Sequence, residues 1–107
     1  MILQISVQDL KNKLDQKETF SLIDCREFDE YGFCRIPGSV CLPISEFEKR
    51  ATKELSSETQ IVIYCHHGNR SQKACEYLFE RGYQNLMNVT GGIEAWSSHI
   101  DPKTPRY

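Results

Sequence analysis

The stretch Ile61 to Gly82, IVIYCHHGNRSQKACEYLFERG, sets a cysteine between an apolar run and a helix-like pattern. Cys65 stands where a strand should end and a polar loop begin. Nucleophile, metal ligand, half of a disulfide and small core residue are all open to it. Gly68 permits a tight or left-handed loop backbone, and successive N–H groups in such a loop can converge on an anion. A helix opening at about Ser71 adds unsatisfied N–H groups and the positive end of its dipole. No acid occurs from Cys65 to Lys73, whereas His66, His67, Arg70 and Lys73 do. A thiol placed there is expected to ionise below the roughly 8.5 of free cysteine. The pattern favours a thiolate, or an anion in its place.

The other fates are weaker. Cys65, His66 and His67 are adjacent and would not all face one ion, and no second ligand pair at metal spacing follows, so no metal is expected. Cysteines stand at 25, 34, 41, 65 and 75, an odd number with no C-x-x-C pair. That argues against a disulfide framework or a dithiol motif and for free thiols, most of them buried. Cys75 falls on an apolar helix face and reads as core. His66 and His67 read as exposed residues at the rim.

The elements that must position this loop are legible in outline. The 107 residues suffice for one domain, 1–107, with a single core. ILQIS reads as a strand, and Ser6 with Asp9 caps a helix carrying Val7, Leu10 and Leu14 on one face. FSLIDC is a buried parallel strand. REFDEYGFCRIPGSV, punctuated by Gly and Pro, reads as loop with at most one helical turn. After VCLP, Ser45 with Glu48 predicts a capping box for a helix to about Leu55. QIVIYC is a strand. A helix from Ser71 to Arg81 follows, with Ala74, Cys75, Leu78 and Phe79 on one side and Gly82 ending it. NLMNV is a last strand, TGG a turn, IEAWSSHI a short helix, and the tail 101–107 an extended surface segment. The alternation predicts an α/β domain, a mainly parallel five-stranded sheet with helices on both faces. Sites in such sheets lie beyond the carboxyl ends of the strands, where Cys65 sits. A net charge of −2 gives no electrostatic reason for a nucleic-acid or anionic-membrane partner. With no membrane-length apolar run and no basic leader at Met1, the expected location is cytoplasmic.

Four motifs, in order along nearly the whole chain, resemble the rhodanese family of sulfurtransferases. CHHGNRS, 65–71, resembles the family's active-site loop. LIDCREFDEYGFCRIPGSVCLP is similar to its aspartate-x-arginine, glutamate and I-P-G pattern. NVTGGIEAW is similar to its G-G-x-x-x-W signature, and DPKTPRY to its ending. The resemblance implies that Cys65 is catalytic, taking a sulfane sulfur from thiosulfate or a persulfide donor and passing it to cyanide, a thiol or a sulfur-accepting protein. No cofactor beyond the covalent persulfide is implied. The substrate-binding loop would comprise His66, His67, Gly68, Asn69, Arg70 and Ser71. Arg70 would bind the anionic end of the donor or shape the loop; Ser71 would cap the helix first and bond the sulfur second. The C-x4-R spacing separates the loop from the C-x5-R of related phosphatases and arsenate reductases, which stay as the alternative beside a non-catalytic binding module. Cys34 and Arg35 replace the family's Gly-His, with Arg35 expected in solvent. Asp24 and Arg26 would serve structure, with an acid such as Glu30 as ion-pair partner. Trp96 and Gly91–Gly92 would serve packing and turn geometry.

Overall fold

A computed structural model describes all residues, 1–107. Five strands form one sheet in the order β1-β5-β4-β2-β3, every neighbouring pair parallel: β1 Ile2–Ile5, β2 Ser21–Asp24, β3 Val40–Cys41, β4 Ile61–Tyr64 and β5 Leu86–Val89. Every residue of the central β4 is buried, and strand alternation splits its side chains between two faces. Ile61, Ile63 and Cys65 join Ile23, Cys25 and Leu42 under α3 (Ile44–Glu54) and α4 (Asn69–Phe79). Val62 and Tyr64 join Leu22 and Val89 under α1 (Val7–Asp15) and α5 (Gly92–His99). Helices therefore cover both faces, as a parallel sheet requires.

The local signals were partly realised. Ser6 and Asp9 form the expected capping box at α1, each side chain accepting the other's backbone N–H. At the end of α4, Tyr83 N–H reaches Leu78 O at 3.1 Å and Gly82 N–H reaches Phe79 O at 3.1 Å, the paired bonds of a Schellman closure. The box predicted at Ser45 and Glu48 does not form. Pro43 is the N-cap of α3, and the Ser45 hydroxyl donates to Glu27 Oε1 at 2.6 Å; a partner from another element outcompetes the local one. REFDEYGF is more ordered than a loop, because Glu27 and Glu30 box the start of α2, Phe28–Phe33. Phe79 was expected on the buried side, yet it is exposed at the end of α4 while Leu78 fills the core. The tail does not simply lie extended. It turns at Asp101–Thr104, buries Thr104, and takes a hydrogen bond from Ser97 Oγ. No helix is long and apolar enough to cross a membrane.

Candidate active site

Cys65 follows β4 directly and is 1% exposed. Its sulfur collects donors from the turn that follows: Gly68 N–H at 3.1 Å, Ser71 N–H at 3.4 Å and Ser71 Oγ at 3.4 Å. Gly68 makes this possible. At φ +113° it turns the chain through the left-handed region as N-cap of α4, a conformation that side chains resist. The helix thus opens at Asn69, two residues before the expected start. Ser71 consequently does not cap it. It lies in the first turn, fully buried, with its hydroxyl between Cys65 Sγ and Asn88 Oδ1, the latter at 2.5 Å.

A second thiol faces the same sulfur. The parallel register pairs Asp24 with Tyr64, and Cys25 N–H donates to Tyr64 O at 3.0 Å, so Cys25 and Cys65 are the next neighbours. The Cys65 thiol is pushed down to about 4, first by the hydrogen bond from the Cys25 thiol and then by the Ser71 hydroxyl, Ser71 N–H and Gly68 N–H, with burial opposing. Cys25 is pushed strongly upward by the same bond and by burial. The pair therefore holds its negative charge on Cys65, the sulfur with the backbone donors.

The outer face of the loop is braced by α5. Cys65 O and His66 O accept Ile93 N–H at 2.9 Å and Glu94 N–H at 3.1 Å. Gly92, at φ +55°, stands so close that an added Cβ would lie 2.5 Å from His66 O and nearer still to Cys65 O. The glycine pair is thus part of the site's wall as well as a turn. From β5, Asn88 Nδ2 donates to Gly68 O at 3.3 Å and to Gln4 Oε1 at 2.9 Å.

Arg70 does not point its guanidinium at the sulfur. It forks onto Glu30, Nη1 to Oε1 at 2.7 Å and Nη2 to Oε2 at 2.9 Å. In this contact it ties α4 to α2. The ion pair expected between Arg26 and Glu30 is replaced accordingly. Arg26 is fully buried against Asp24, with Nη2 at 2.6 Å from Oδ2, and it also donates to Cys34 O at 2.6 Å and Tyr107 Oη at 2.8 Å. Tyr107 Oη in turn donates to Glu30 at 2.7 Å. Glu30 is held down at about 2, chiefly by Arg70 and further by Tyr107 and the Glu27 N–H against burial. Arg35 is exposed, over the Tyr31 ring at 4.3 Å.

His66 stacks between His67 and Tyr107, centroids 4.0 Å from each. Both histidines, with exposed Asn69, form the rim. Burial and the neighbouring His67 lower His66 below its ordinary value. A polar groove of about 320 Å³ runs beside the loop, lined by His67, Gly68, Asn69, Gln72 and Asn88 among others. No cluster of side chains capable of holding a metal ion is present. Three contributors escaped the sequence reading: Cys25, Asn88 and Tyr107. Asn88 carried a signal, a polar residue inside the strand NLMNV. Cys25 and Tyr107 carried none, since their roles depend on strand register and on where the tail lands.

The geometry agrees with what the chain is similar to. Residues 6–99 match the rhodanese-like domain. A sulfurtransferase from Allochromatium vinosum is 35% identical, with 92% of both chains aligned. YrkF of Bacillus subtilis, named for a sulfur-carrier role, is 38% identical over 92% of this chain. An adenylyltransferase and sulfurtransferase, uba4, from Ogataea parapolymorpha is 36% identical over 80% of this chain. The chain spans 52% of YrkF and 22% of the Ogataea protein. Among solved structures, a rhodanese-like domain protein from Staphylococcus aureus superposes with a TM-score of 0.82 at 28% identity, covering 98% of each chain.

Proposed function

The chain belongs to the rhodanese-like domain family, and on that premise we propose that it moves a sulfane sulfur by way of a persulfide on Cys65. The observation that carries the reading is the Cys65 sulfur, which accepts Gly68 N–H and Ser71 N–H as an anion at the mouth of β4. The Cys65 thiolate attacks the outer sulfur of thiosulfate. The S–S bond of the donor breaks, and sulfite leaves with its electron pair. The outer sulfur of the persulfide then carries the negative charge, and the loop N–H groups and the start of α4 suit that charge as they suit the thiolate. A nucleophilic acceptor attacks that outer sulfur and returns Cys65 as thiolate; cyanide would yield thiocyanate, and a thiol a new persulfide. No general base is required, because the thiol is already ionised at neutral pH.

The phosphatase alternative fits poorly. Both Arg70 η-nitrogens that would grip phosphate oxygens are bonded to Glu30, in the two-pronged geometry that makes Arg–carboxylate pairs strong. Relatives whose names join adenylyltransferase to sulfurtransferase favour a sulfur-accepting protein as one physiological acceptor. A reducing cytoplasm suits the five free thiols. The test is intact-mass spectrometry after thiosulfate treatment, with thiocyanate production in parallel. Wild type should gain a cyanide-labile sulfur; Cys65→Ser should gain none and form no thiocyanate. Full thiocyanate formation by Cys65→Ser would overturn the reading.

A further inference from the structure

Sulfur transfer uses the thiol of Cys25 as a hydrogen-bond donor to Cys65 and leaves its own nucleophilicity unused. Cys25 and Cys65 continue the β2–β4 register, and neighbouring strands run about 4.7–4.9 Å apart. That spacing lies inside the roughly 4.4–6.8 Å between Cα atoms that a disulfide spans. Both side chains point to the same face of the sheet and into the same core cluster. The other cysteines near this end of the sheet are turned elsewhere, Cys75 Sγ toward Met87 O at 3.8 Å and Cys41 Sγ toward Arg26 O at 3.5 Å. Cys25 is fully buried, so no acceptor from solvent competes with Cys65 for it. It meets Cys65 Sγ from β2, whereas the N–H donors that would hold a charged outer sulfur come from the loop and α4.

We propose that Cys25 is a resolving thiol, which attacks Sγ of persulfidated Cys65, closes a Cys25–Cys65 disulfide and expels the outer sulfur as hydrosulfide. This rests on the persulfide reading above. In the step the new Sγ–Sγ bond forms as the bond from Sγ to the outer sulfur breaks. The outer sulfur leaves with the electron pair and takes the Cys25 proton. The Cys25 sulfur is oxidised as the outer sulfur is reduced, while Cys65 Sγ exchanges one sulfur partner for another, so no external oxidant is needed. An acceptor that arrives first takes the sulfur; without one, the site discharges it as hydrosulfide and locks. An external dithiol reopens it.

The experiment loads the reduced, desalted full chain with thiosulfate in the absence of any thiol, following intact mass, trapped hydrosulfide and a peptide map over time. Wild type should first gain one sulfur, then convert to a species lacking two hydrogens, with matching hydrosulfide and a peptide linking Cys25 to Cys65. Cys25→Val and Cys25→Ser should load more slowly, keep the added sulfur and release hydrosulfide at least about tenfold more slowly. Wild type that holds its sulfur as long as either variant, or that links Cys65 to a different cysteine, overturns the proposal while leaving the persulfide intact. Failure of wild type and both variants to gain sulfur overturns the persulfide reading and this inference with it.

Discussion

The Cys65 sulfur is made anionic by the company it keeps rather than by a base. The neighbouring histidines are engaged with each other and with Tyr107, and the donors on Sγ are a thiol, a hydroxyl and two backbone N–H groups. Alkylation of Cys65 by iodoacetamide, followed by mass spectrometry across pH, should therefore inflect near 4 instead of the roughly 8.5 of free cysteine. Cys25→Val should move the inflection upward most, and Ser71→Ala upward by less, because Ser71→Ala keeps its backbone donor. An unchanged inflection in Cys25→Val would show that the backbone nest alone suffices.

At the scale of elements, the loop is a strand-to-helix turn clamped between α4 and α5. Gly92→Ala forces a methyl group against the Cys65 and His66 carbonyls from a left-handed backbone. Denaturant unfolding should show a loss of about 2–4 kcal/mol, together with loss of sulfur loading. Gly32→Ala is the contrast: it lies in α2 with nothing within 4 Å of the new methyl. Helix propensity predicts a gain of up to about 1 kcal/mol there. The Arg70–Glu30 fork ties α4 to α2 with a definite pH signature. Glu30 is lowered from 4.5 to about 2, so its contribution to stability is complete above 4.5 and fades as pH falls toward 2. Partial exposure of the pair screens the effect, and Glu30→Gln should destabilise at neutral pH by up to about 1 kcal/mol. Unfolding curves of variant and wild type should converge as the pH approaches 2; a difference independent of pH would mean that packing, not charge, holds α2.

Across the whole molecule, a buried polar network joins segments far apart in the chain. Arg26 reaches Asp24 beside it, Cys34 O at the end of α2, and Tyr107 in the tail, 81 positions away. Both charges of the Asp24–Arg26 pair are fully buried. Arg26→Met would leave a buried carboxylate unpaired and should cost about 3–5 kcal/mol in urea unfolding. Adding Asp24→Leu should recover much of that loss, since a matched apolar pair carries no such penalty. Tyr107 links this network to the rim. Tyr107→Ala uncovers His66, whose imidazole is held low first by burial, so its NMR titration should move upward toward the ordinary value.

The sequence by itself determined the features that rest on short-range backbone chemistry. Alternating strand residues against helical spacing, the Ser6–Asp9 box, and a glycine after Cys65 followed by a helix are all written within a few positions of where they act. They suffice for a parallel α/β domain with a thiolate at a strand end, and the motifs around them identify the family. Tertiary structure decided which side chains those backbone elements bring together. Arg70 lies 40 positions from Glu30, and only the fold, which sets α2 beside the first turn of α4, makes that carboxylate its partner. Ser45 gave up its local cap for Glu27, 18 positions away. Ser71 exchanged a capping role for a place against the sulfur because a left-handed Gly68 opened the helix two residues earlier. Cys25 became the neighbour of Cys65 through strand register alone. Long and polar side chains choose partners by distance in space, and that distance exists only once the sheet has aligned.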